Sequence, residues 1–421
     1  VIGKREGSVI VTGTWIIFSF IGLLPYWVSG YIPSFTDAFF ETMSGFTTTG
    51  STILPNIEVI PRSLLFWRSL THWIGGLGIV VITMAILPIF GFNGSQIYTA
   101  EVTGLSKEKL HPKISGTAKR LFIIYLVMSF SGIAALWLAG MSPFDAVNHA
   151  LSTVSTGGFS TKNTSIAYWH SPAIEWIIIV LMTGSAINLS LYYFLAVGNF
   201  RRFFKDEEMR TLIAIIVSTS AIIVFTQLIF WGFPLEDIGE NVRGTLFTVS
   251  SLISTTGFYS VDYSGWISVA YMLLLLTFVG GSAGSTSGGI KVIRVLLVFK
   301  YCYYEFKRMV HPHAVFPVRY NGRAVKEEYI TRMLAFILLY VILSLFGAMI
   351  LCISGLGFEE SISSMVSCLG NVGPGLGHLG PLDNYQSLPA FAKWFMSFAM
   401  LVGRLEFFTV LLIFTPNFWK R

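Results

Sequence analysis

Four short stretches carry the residues best suited to chemistry: FTTTGST (46–52), VSTGGFST (154–161), ISTTGFYS (253–260) and GNVGPGLG (370–377). What they offer is backbone rather than charge. Glycine permits the positive φ that lets consecutive carbonyls aim at one axis. Four such segments around an axis would form a ring of carbonyls able to replace a cation's hydration shell. The candidate ligands are Thr47, Thr48, Thr49 and Gly50; Ser155, Thr156, Gly157 and Gly158; Ser254, Thr255, Thr256 and Gly257; and Gly370, Asn371, Val372 and Gly373.

Two further features are unusual in so apolar a chain. One is the ten-residue run Gly280, Gly281, Ser282, Ala283, Gly284, Ser285, Thr286, Ser287, Gly288 and Gly289. It interrupts an apolar span and cannot be a stable lipid-facing helix, since each Gly costs roughly 1 kcal/mol against Ala. Broken helices persist in membranes only where they line a cavity, so the run reads as a mobile gate. It also contains G-x-S-x-G, which can mark a hydrolase nucleophile. An intramembrane serine hydrolase at Ser282 is the rival reading, but no histidine is clearly placed at its depth to serve as base. The second feature is Arg404, some 14 residues into the last apolar run. At a helix centre it would cost about 2.5–3.5 kcal/mol, so it is expected to face the pathway and there either repel cations or hold the glycine-rich run through carbonyl hydrogen bonds.

The elements that must position these residues are apolar runs at about Val9–Val28, Leu64–Phe90, Leu121–Ala139, Ala173–Val197, Thr211–Phe233, Ile267–Phe299, Met333–Ile353 and Ala390–Phe414. Each is long enough to cross a ~30 Å hydrocarbon core at 1.5 Å per residue. Between the members of each pair lies a half-length segment ending in one of the four stretches. Taking Gly50, Gly158, Gly257 and Gly373 as equivalent gives spacings of 108, 99 and 116 residues, with Asp37, Asp145 and Glu360 each 13 positions upstream. The expected fold is therefore an all-α integral membrane protein of four tandem membrane–pore-loop–membrane repeats around one central pore. That makes eight spans and four re-entrant half-helices, divided as 1–100, 101–205, 206–325 and 326–421. The Asp, Ser or Glu before each half-helix suits an N-cap, and its C-terminal dipole end would point inward and favour a cation.

Composition agrees. Hydrophobic residues make up 53% and charged residues 12% of the 421, whereas soluble domains carry about 25% charged residues. Soluble, disordered and nucleic-acid-binding classes are excluded despite a pI near 9.1. With the chain's start in the cytoplasm, the inner segments hold 20 of the 28 Lys and Arg, as the positive-inside rule requires. The outer mouth is then net negative. Cys302, Cys352 and Cys368 are scattered and support neither a disulfide framework nor a zinc site. The chain opens on Val1 without a signal peptide, which suggests a fragment of a longer one.

These motifs, with FWRSLTHWIGGLGIVV (66–81), TFVGGSAGSTSGGIK (277–291) and LVGRLEFFTVL (401–411), resemble the Trk/Ktr/HKT superfamily of potassium uptake proteins, most closely its bacterial Trk-type pore subunits. The resemblance covers nearly the whole chain. It implies K⁺ as the transported ion, no organic cofactor, and a single filter glycine per repeat at Gly50, Gly158, Gly257 and Gly373. The gate would be the 280–289 run with Arg404. It further implies a bacterial cytoplasmic membrane, a homodimer, and a cytosolic ring of nucleotide-binding regulatory subunits. The basic helix Lys291–Arg308 and the loop to Arg332 are the expected docking surface. Passive conduction and Na⁺- or H⁺-coupled symport of the Ktr/HKT type both stay open. Relatives of the Trk type usually carry two further helices ahead of the first repeat, and this chain does not.

Overall fold

The computed structural model describes residues 4–78, 114–231, 234 and 237–419. Its long helices are inside-out by the standards of a soluble protein. In α10 (Glu207–Phe230) only 28% of the apolar stretch is buried, and Val217 and Phe225 stand exposed. Outward apolar side chains of this kind are what a lipid-facing helix needs. Among the described residues four helical stretches are long and apolar enough to cross a membrane. These are α1–α2 (Lys4–Gly22 and Leu24–Val28), α5 (Ile114–Leu138), α10 and α14 (Glu327–Ile353).

Each is followed by a short helix buried over most of its length: α3 (Phe35–Phe46), α6 (Pro143–Val154), α11 (Ile238–Ile253) and α15 (Phe358–Gly370). Their 12 to 16 residues make about 18–24 Å, too short to cross a ~30 Å hydrocarbon core. Ser34 and Ser142 cap the first two by accepting from the amides of Asp37 and Asp145. Of the Asp, Ser or Glu expected as caps, serine serves in these two helices, while Asp37, Asp145 and Glu360 occupy the third helical position.

After each short helix and its return strand comes a second helix: α4 (Arg62–Leu77), α7 (Pro172–Ala186), α12 (Ala270–Val279) and α16 (Ala390–Arg404). Every short helix packs between its own two flanking helices and the second helix of the preceding unit. So α6 meets α4, α11 meets α7, α15 meets α12, and α3 meets α16, which closes the circle.

The second helices depart from the expected straight spans. The pair α7 and α8 (Leu189–Ala196) is bent by 101°, and α16 and the turns Phe408–Phe414 by 111°. At the first break Ile187 is extended, and Asn188 turns its side chain to cap α8. At the second, Glu406 and Phe407 hold positive φ, a conformation that resists helix continuation. Helix α4 stops at Gly78 (φ 79°) and α12 at Gly280 (φ 73°), while the rest of the expected Leu64–Phe90 span lies outside the described residues. All four second helices therefore end below the short helices, not only the one carrying the glycine-rich run. Farther on are α9 (Phe200–Lys205), α13 (Val292–Val310) and a two-stranded hairpin pairing Arg319–Tyr320 with Arg323–Ala324.

Candidate functional site

The four Gly/Ser/Thr stretches meet at the centre of this ring. Their backbones share one pattern: a left-handed residue two places before the glycine (Thr48, Thr156, Thr255 and Asn371, φ 53–57°), then the left-handed glycine itself. In the first segment the amides of Thr47, Thr48 and Thr49 turn back to the carbonyls of Met43, Gly45 and Ser44 at 2.9–3.1 Å, and the other segments do likewise. With the amides committed to the helix behind, the carbonyls turn to the opposite side. A threonine at φ near +55° is strained, since a β-branched side chain resists that region. Asn371 adopts it more readily.

The glycines interlock. A Cβ on Gly50 would stand 2.1 Å from the carbonyl oxygen of Gly157, and one on Gly158 would stand 1.9 Å from that of Thr256. On Gly257 it would meet the Val372 oxygen at 2.1 Å, and on Gly373 the Thr49 oxygen at 2.6 Å. The ring thus closes from first segment to fourth and back, each glycine lying against the next segment's carbonyl. Above it opens a vestibule lined by the four glycines, Arg68, Lys162 and Asp383 among others. The fourth segment differs: the carbonyl of Gly373 already accepts from Ser51 Oγ and Tyr385 Oη, both at 2.9 Å.

Behind the ring sits a group that the motifs did not reveal. Glu41 and Arg68, 0% and 1% exposed, pair at 2.8 Å. Glu41 also accepts from Thr52 Oγ1 and the Ile53 amide, while Arg68 donates to the Ser160 carbonyl and stacks 3.9 Å over Phe159. The pair ties together the return strands of the first two units. Two opposite charges inside apolar stretches were the available signal. His149 is likewise structural, linking the Asp145 carbonyl to Ser160 Oγ. Among the outer charges, Lys393 pairs with Asp37 and Arg243 with Glu175, two neutral pairs that leave the net charge of the mouth unchanged.

Beneath the ring lies the 280–289 run, a compact loop rather than a helix. Its ends are pinched together, with Gly280 and Gly289 so close that a Cβ on either would collide with the other's Cα. Thr286 donates through its hydroxyl to the carbonyl of Val154 at 3.0 Å, and the Gly288 amide donates to Thr255 Oγ1 at 2.8 Å. Gly288 also abuts the carbonyl of Gly370. The loop therefore reaches three of the four units at the inner end of the ring. Arg404 supplies the fourth, donating to the Thr286 carbonyl at 2.8 Å and to the Gly75 and Gly76 carbonyls at 2.7 and 3.1 Å.

Two expectations about charged residues change here. Arg404 is not at a helix centre: it ends α16, where a cation suits the helix dipole. Its neighbour Glu406 pairs with Arg294. Lys291 and Arg294 are buried, Lys291 bonding to the Ser287 carbonyl, so neither belongs to an exposed docking surface. On the loop's other side the Glu208 carboxylate accepts from the Ala283 and Ile293 amides at 2.7 and 3.2 Å. The Ser282 hydroxyl is buried without a hydrogen-bond partner among the described residues, so no base is positioned to activate it.

Comparison with known proteins agrees with this architecture. Residues 2–421 match the family model TrkH, described as cation transport protein. Among similar proteins are the Trk system potassium uptake proteins TrkH of Salmonella typhimurium and TrkG of Escherichia coli. They are 38% and 34% identical, each match covering 99% of this chain and 86% of the relative. A solved structure, the potassium transporter TrkH from Vibrio parahaemolyticus, superposes with a TM-score of 0.87 at 35% identity, over 99% of this chain and 86% of that one. With apolar membrane-spanning helices and a family match over the whole described length, the chain belongs to the TrkH family of cation transport proteins.

Proposed function

We propose that this protein is the pore-forming subunit of a potassium uptake system in the bacterial cytoplasmic membrane, selecting K⁺ at the glycine ring. The observation that carries the reading is the cyclic interlock of Gly50, Gly158, Gly257 and Gly373 with the neighbouring carbonyls. A narrow ring of fixed backbone oxygens suits a weakly hydrated monovalent cation, and relatives are named for potassium uptake. The ligands would be the backbone carbonyls of residues 47–50, 155–158, 254–257 and 370–373, contributed by the four units 1–100, 101–205, 206–325 and 326–421.

In this reading the 280–289 loop is the gate and Arg404 its latch. Opening would break the bonds from Arg404 to Thr286 and from Gly288 to Thr255 while leaving the ring intact. The protein is a transporter rather than an enzyme, with K⁺ as cargo. Homodimerisation and docking of a cytosolic nucleotide-binding ring belong to the same reading, with the end of α13 around the exposed Lys307 as the docking surface. Rb⁺ uptake into proteoliposomes tests it. Uptake above empty vesicles, inhibited by K⁺ and poorly by Na⁺ or Li⁺, is expected, and equal passage of Li⁺ would refute the claim.

A further inference from the structure

At the membrane face opposite the vestibule, a cleft of about 1040 Å³ opens between α8–α9, the start of α10 and the hairpin. Six cations line it: Arg201, Arg202, Lys205, Arg210, Arg323 and Lys326. Two carboxylates share it, and both are committed. Asp206 caps α10 through the Met209 amide at 2.9 Å and accepts from Asn321 Nδ2 at 2.8 Å, while Glu207 pairs with Lys300. Among the described residues, Arg201, Lys205, Arg210, Arg323 and Lys326 have no carboxylate within ion-pair distance.

Helix α9, which lends cations to this cleft, also exposes apolar side chains outside it. Phe200 and Phe204, 59% and 61% exposed, directly precede Arg201 and Lys205 along α9, and Val197 is exposed just before the helix. Arg202 is steadied at 4.0 Å over the Phe194 ring. Exposed rings beside Arg201 and Lys205, just ahead of the membrane-spanning α10, fit a ligand with an anionic head and hydrocarbon tails. An acidic protein surface would leave the rings in water. Basic pockets between membrane helices on the cytoplasmic side are suited to anionic headgroups.

We propose that this cleft binds the phosphate of an inner-leaflet anionic phospholipid, with the acyl chains along Phe200 and Phe204. The site adjoins the loop through one turn of helix: Asp206 and Arg210 face the cleft, while Glu208 between them holds the Ala283 amide.

The test uses the full chain in phosphatidylcholine nanodiscs, titrated with phosphatidylglycerol and read by native mass spectrometry, so no transport step is needed. The parent should retain phosphatidylglycerol, and Arg201→Gln/Arg210→Gln/Lys326→Gln should bind it more weakly by about fivefold per cation, on the order of 100-fold in all. A control neutralising two cations elsewhere, Arg5→Gln/Lys119→Gln, should bind as the parent does. Unaltered melting and Rb⁺ uptake in phosphatidylcholine would show that both variants are folded. If the triple variant fails that check, Lys326→Gln alone, with its expected fivefold loss, decides. Equal retention by all variants overturns the site. Displacement by millimolar glycerol phosphate overturns the lipid anchor in favour of a soluble phosphate. Intact lipid binding with lost association of an acidic cytosolic protein would assign the cleft to that protein and overturn the proposal too.

Discussion

The glycine ring and the loop beneath it are both built from Gly, Ser and Thr, yet they are held in opposite ways. In the ring, backbone amides return to the parent short helix, and each glycine is wedged against the next segment's carbonyl. Nothing there can shift without moving its neighbour. The loop is tethered at discrete points: Thr286 to Val154, Gly288 to Thr255, Arg404 to Thr286, and Glu208 to Ala283. A lattice of mutual contacts suits a fixed selector, and a few separable clasps suit a part that must move. Similar composition therefore does not imply similar mechanics, because the partners of the backbone decide.

The comparison would break most severely at the ring. Gly158→Ala places a Cβ 1.9 Å from the Thr256 oxygen at a positive φ, which should destabilise the ring by roughly 2–5 kcal/mol. Loss of K⁺ preference over Na⁺, or loss of folded protein, is expected in uptake and melting assays. Gly373→Ala, with 2.6 Å of room, should be milder, and an unchanged ion ratio in both variants would remove them from selection.

The next largest effect should come from the latch. Arg404→Ala removes charge-assisted bonds to three carbonyls, each worth roughly 1.5–3 kcal/mol. Rb⁺ flux should rise by about tenfold or more with the K⁺/Na⁺ ratio near the parent value. A changed ratio would place Arg404 in selection instead. Deleting Ser285–Ser287 should likewise raise flux, and adding Arg404→Ala to that deletion should do little more, because both act on one element. Full additivity in the uptake rates would show two independent barriers. The smallest effect sharpens the boundary between the two regions. Thr255→Val leaves the Gly288 amide without its acceptor, at a cost of about 1 kcal/mol, and should raise flux only a few-fold.

How much of this could be read from the sequence depends on which physical signal each part leaves. The four glycines, the half-length helices and the broken span around 280–289 are visible because glycine clusters inside apolar runs contradict an ordinary membrane helix. The bends after Ala186 and Arg404 left no such mark. Ile187 and Asn188, or Glu406 and Phe407, are ordinary residues, and tertiary contacts turn the chain there. Arg404 stands out by its charge, but the unbroken apolar run to Phe414 conceals that its helix ends there. Glu41 and Arg68 are 27 residues apart, and only the fold brings them together. Asn371, by contrast, hints at its own left-handed geometry.

The cyclic wedging of glycines also bears on how such a ring can evolve. In an assembly of four identical subunits, any codon change at the ring would appear four times at once. Here one gene encodes four separate sectors, so a substitution alters a single contact, and the other three can buffer it while a compensating change arises. The fourth sector has already diverged: it carries Asn-Val where others carry Thr-Thr or Thr-Gly, its glycine has the most slack, and Tyr385 props its carbonyl from outside. Saturation mutagenesis scored by growth on limiting potassium should therefore find tolerated replacements at Gly373 before any at Gly158.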